Sequence, residues 1–90
     1  MLTIPFIVLA INYIMSKAFV LLNCDIGSHD TIIDELLTFN GVSSAHKTQG
    51  VYDIIVKLDL DSREELRSTI VKIRRIDAVH SSLTLMVTKD

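Results

Sequence analysis

The amino-acid sequence predicts an α+β fold of order β-α-β-β-α-β, a four-stranded antiparallel sheet with two helices on one face. Three observations carry this expectation. Residues 51–60 (VYDIIVKLDL) and 79–88 (VHSSLTLMVT) alternate in hydrophobicity at the period of a strand. Two segments between the strand-like stretches repeat their apolar residues at helical spacing and are bounded by capping and stop residues. A short apolar run precedes both of them.

That run, residues 17–24 (KAFVLLNC), holds β-branched and aromatic members and is too brief for a typical helix, so it reads as a buried first strand. Ser28 then offers an N-cap, Ile32, Ile33, Leu36 and Leu37 fall at helical spacing, and Asn40-Gly41 supplies a left-handed stop. Residues 42–49 alternate weakly and residues 51–60 alternate clearly, with Tyr52, Ile54, Val56, Leu58 and Leu60 on one face. A tight hairpin around Gly50 is expected to join them. Ser62 and Glu65 have capping-box spacing, Leu66, Ile70 and Ile73 share a helical face, and Lys72, Arg74 and Arg75 suit the negative end of the dipole. The last strand places Val79, Ser81, Leu83, Leu85 and Val87 opposite His80, Ser82, Thr84, Met86 and Thr88. Right-handed crossovers then give the split β-α-β, ferredoxin-like arrangement with the first and third strands central.

One helix layer covers one sheet face, yet the first strand is apolar on both. Phe19, Leu21, Ile55 and Met86 are expected on the uncovered face, where a wet apolar patch would forfeit about 25 cal/mol per Å2. A homodimer through that face is the expected consequence. The alternative is an N-terminal arm folded back over it.

Composition limits the function classes. Ninety residues with 49% hydrophobic and 22% charged allow one folded domain, and a formal net charge of -2 gives no general attraction to nucleic acid. Cys24, the single cysteine, cannot form an internal disulfide and reads as a small buried hydrophobe in a reducing, cytoplasmic setting. His29, His46 and His80 show no ligand pair at helical spacing, so no metal site is expected. Residues 1–14 (MLTIPFIVLAINYI) are apolar and uncharged, and differ in composition from residues 15–90, which form the domain. They are too short for a membrane span and lack a signal peptide's positive start. We expect them to arise from an upstream start codon, with Met15 the ordinary start; an extra edge strand, a loose arm and a membrane anchor are the alternatives.

From Gly50-Val51-Tyr52-Asp53-Ile54-Ile55-Val56, through residues 61–66, to Ile76-Asp77-Ala78-Val79-His80-Ser81-Ser82-Leu83-Thr84, the sequence resembles the ligand-binding (RAM) domain of Lrp/AsnC regulators. The likeness extends over residues 17–89. Ala78 stands where the family commonly has Gly, and Ser82 where Thr is frequent. Sixteen residues precede the first strand without paired amphipathic helices, so a stand-alone module lacking the family's helix-turn-helix domain is expected. The resemblance implies an effector module that binds an amino acid or related metabolite near subunit interfaces. It also implies dimers that assemble into rings, with full-length Lrp/AsnC regulators as partners and no direct contact with nucleic acid.

On that resemblance Gly50, Val51, Tyr52, Asp53, Ser82 and Thr84 are the expected ligand-binding residues. Asp53 matches the acidic position tied to ligand response; its structural alternatives are capping the turn or pairing with Lys47. Gly50 primarily serves the turn, Tyr52 primarily packs, and Met86 belongs to the dimer seam. No catalytic residues and no cofactor are expected. The competing readings are an ACT-like amino-acid-binding module using the first strand-to-helix loop, a small dimeric ferredoxin-like enzyme, and a membrane-associated adaptor.

Overall fold

The computed structural model of the chain describes residues 16–87; the readings of residues 1–14, of Met15 as a start and of Thr88 lie outside them. Strand β1 (Ser16–Cys24) alternates strictly, with Ala18, Val20, Leu22 and Cys24 buried and Phe19 and Leu21 half-buried on the other face. Helix α1 (His29–Leu36) starts after Ser28, whose side chain makes no capping hydrogen bond. It buries Ile32 and Leu36 but leaves Leu37, expected on the same face, exposed just past its end. The helix ends at Leu36, capped by Leu37 in the right-handed region, ahead of the expected Asn40-Gly41 stop; Gly41, in the left-handed region (φ +91°), instead turns the chain into the next strand beside the Leu60 side chain.

Strands β2 (Val42–Lys47) and β3 (Ile54–Leu60) pair antiparallel, then helix α2 (Arg63–Arg74) leads into β4 (Val79–Met86). Ser62 caps α2 as its spacing predicts: its hydroxyl accepts the Glu65 N–H at 3.1 Å, a contact worth about 1 kcal/mol. Leu66, Ile70 and Ile73 are buried beneath it. The sheet order is β2-β3-β1-β4, with β1 and β3 central, and both helices pack on the face of Val20, Leu22, Ile54, Val56 and Leu58. This is the predicted ferredoxin-like architecture.

Three further expectations change. The β2–β3 connection is not a tight hairpin about Gly50 but a six-residue loop, residues 48–53, so Tyr52 and Asp53 precede the strand to which they were assigned. The loop is tied down locally: Thr48 N–H donates to the Asp53 carbonyl at 2.9 Å, the Thr48 hydroxyl to the Tyr52 carbonyl at 2.6 Å, and Asp53 N–H to the Leu22 carbonyl at 2.8 Å.

Asp53, which the alternation of residues 51–60 puts on the outward face with Ile55, therefore does not share that face. Because β3 begins only at Ile54, its carboxylate turns instead to Cys24 and to His29 on α1.

The third change concerns β4. Its register opposes Met86, Thr84 and Ser82 to Ala18, Val20 and Leu22, which places all three on the helix-covered side. Leu83 and Leu85 oppose Leu21 and Phe19 and occupy the open face, 42% and 49% exposed. Met86 thus leaves the expected dimer seam, while Phe19, Leu21 and Ile55 lie on the open face as expected. The cause is a register shift at Asn23/Cys24: Cys24 meets Val79 and Asn23 meets Ser81, so His80 is the extra residue. One such bulge carries every later side chain to the other face.

Candidate functional site

At one end of the sheet, β1 runs into the turn before α1 while the β2–β3 loop closes alongside. Between them opens a cleft of about 480 Å3 lined by Gly27, His29, Asp30, Lys47, Thr48 and Gln49. Gly27 (φ +86°) permits the turn that brings α1 back over the sheet, and Gly50 (φ +121°) permits the loop opposite. Val51 stands 84% exposed at the tip of that loop, and Ile26 is fully exposed on the facing turn.

The charged groups here are ordered by the fold. Lys47 and Asp30 form an exposed ion pair at 3.0 Å, so the pairing of Lys47 with Asp53 does not occur. Asp53 is half-buried; its Oδ2 accepts the Cys24 N–H at 3.0 Å, and its Oδ1 lies 3.8 Å from His29 Nε2. Asp53 therefore caps the end of β1 rather than its own loop. Burial pushes the Cys24 thiol above its usual pKa, and the negative charges of Asp53 and Asp25 push the same way. Asp25 also contacts His80, which joins the end of β1 to the start of β4.

Of the expected ligand-binding residues, the fold groups Gly50, Val51, Tyr52 and Asp53 in one loop beside the cleft. Ser82 and Thr84 are set apart from it by β1, on the strand beneath α2. The Ser82 hydroxyl accepts from Arg74 Nε at 3.3 Å, and Thr84 Oγ1 is buried with no partner among the described residues. Sequence reasoning missed His29 and Thr48 as neighbours of Asp53. The ACT-like reading, with its use of the first strand-to-helix loop, points to the His29 side of this region.

The model of the Lrp/AsnC ligand binding domain matches residues 17–90. The chain belongs to the Lrp/AsnC ligand-binding domain family. It is 30% identical over 80 residues to the HTH-type transcriptional regulator FL11 of Pyrococcus abyssi, covering 89% of this chain and 52% of that protein. It is 34% identical over 74 residues to a homocitrate synthase of Saccharolobus solfataricus, covering 81% of this chain but 16% of the enzyme. The chain thus spans about half of the first relative and a small part of the second. Among solved structures, FFRP-DM1 superposes with a TM-score of 0.78 at 28% identity, covering 81% of this chain and 99% of that one. This Lrp/AsnC domain is therefore related to a transcription regulator across nearly all its length. No helix among its described residues is long and apolar enough to cross a membrane.

Proposed function

We propose that this Lrp/AsnC domain is an amino-acid-binding effector module that works as a homodimer, or as a ring of dimers, and regulates through other proteins. The observation that carries the reading is the Asp53 carboxylate. One of its oxygens is fixed by the Cys24 N–H and the other lies toward His29, a wall of the cleft. An amino acid needs an anionic and a cationic partner a short distance apart. Asp53, beside the cleft against His29, supplies the first, and Lys47, which lines the cleft, supplies the second. The Lys47–Asp30 pair is exposed and worth about 1 kcal/mol or less, so exchanging Asp30 for a ligand carboxylate costs little.

A thermal-shift screen of the standard amino acids tests the reading. At a hundredfold excess over its Kd, a ligand bound only by the folded state adds about 2.7 kcal/mol, a clear rise in melting temperature. No shift with any amino acid would refute amino-acid sensing.

Regulation in this proposal runs through protein contacts, with full-length Lrp/AsnC regulators as the first partners to try. The likeness to part of a homocitrate synthase favours a second target, a biosynthetic enzyme. With a formal net charge of -2, the chain is expected to leave duplex DNA unretarded in a gel shift at physiological salt. Sequence-specific retardation by the purified chain alone would overturn this mode of action.

A further inference from the structure

We propose that Cys24, His29 and Asp53 form a binding site for one divalent transition-metal ion of the zinc type. The fold collects the three donors from the end of β1, the first turn of α1 and the β2–β3 loop, and their ligand atoms all lie within 4.8 Å of one another. Thiolate, imidazole and carboxylate are the donors that zinc takes, and three protein ligands leave its fourth position open. Zinc-ligand bonds at tetrahedral angles put donor atoms roughly 3.3 to 3.6 Å apart. His29 Nε2 and Asp53 Oδ1, at 3.8 Å, are close to that spacing. Small side-chain rotations close the rest.

Charge and surroundings suit a dication. A thiolate and a carboxylate together cancel its charge, and the Asp25 carboxylate adds to the negative field at Cys24. The Cys24 N–H holds Asp53 Oδ2 at 3.0 Å, so the carboxylate is already oriented for single-oxygen ligation through Oδ1, the role an outer hydrogen bond plays at metal sites. Cys24 is buried while His29 and Asp53 are half-exposed, which gives the ion an inner ligand and a path from solvent.

Cobalt(II) titration of the reduced full chain, without amino acid, tests the site. The expected result is one ion per chain, a thiolate-to-cobalt charge-transfer band, and loss of that band on adding zinc. His29→Gln or Asp53→Asn should weaken cobalt binding more than about tenfold, with circular dichroism unchanged. Weakening in either folded variant supports the site. Absence of the band in the native chain, or native affinity in both variants, overturns it. The amino-acid screen is run with a chelator present, so either proposal can fail alone.

Discussion

Replacing Ile55 with Asp is expected to turn the proposed dimer into a folded monomer. Ile55 lies at the middle of the open sheet face, paired with Leu21 on β1 and His46 on β2, and the apolar surface continues through Phe19, Leu83 and Leu85. A two-fold interface uses the same patch from both subunits, so one substitution introduces two carboxylates. An unpaired ion taken out of water costs several kcal/mol even after relaxation, and about 3 to 5 kcal/mol weakens a dimer by more than a hundredfold. The monomer should tolerate the change, because the Ile55 side chain lies outside the helix-covered core. Light scattering at several protein concentrations reads the mass directly. Leu83→Asp, on β4 across β1 from Ile55 and on the same face, gives an independent second measurement. If both variants stay dimeric with native circular dichroism, the interface lies elsewhere.

The face itself was legible in part. Phe19, Leu21 and Ile55 could be assigned because β1 and β3 keep their alternation through central strands, where the period of two permits a single burial pattern. Met86 could not. The alternation of β4 is equally regular, but the bulge at His80 exchanges its two faces, and nothing in residues 79–88 marks a bulge in the way a glycine would.

The site failed to show for a related reason. The alternation of residues 51–60 carries Asp53 outward with Ile55, whereas the chain is still in its loop there and the carboxylate turns to α1. Cys24, His29 and Asp53 have spacings of no recognised metal motif, and tertiary folding alone brings them together. By contrast, α2 was readable end to end, since its capping residues act within one turn of their own position.

Asp53→Asn is expected to weaken amino-acid binding by about ten- to more than a hundredfold while leaving the dimer and helical content nearly unchanged. The substitution is conservative where the fold depends on it. An asparagine side-chain oxygen can still accept the Cys24 N–H that the Oδ2 atom now accepts at 3.0 Å, so the end of β1 remains capped. The second position changes from a charged acceptor to an amide N–H2 group, which faces a ligand ammonium as donor against donor. A hydrogen bond to a charged group contributes about 1.5 to 3 kcal/mol, which sets the expected range of affinity. Calorimetry on both proteins, with the amino acid selected by the thermal-shift screen and with chelator present, separates this loss from any effect on metal. Lys47→Met provides the complementary measurement, because it removes the cleft-lining cation proposed to meet the ligand carboxylate. Equal affinity in a correctly folded Asp53→Asn protein would remove Asp53 as the ammonium partner and leave it the structural role of capping β1.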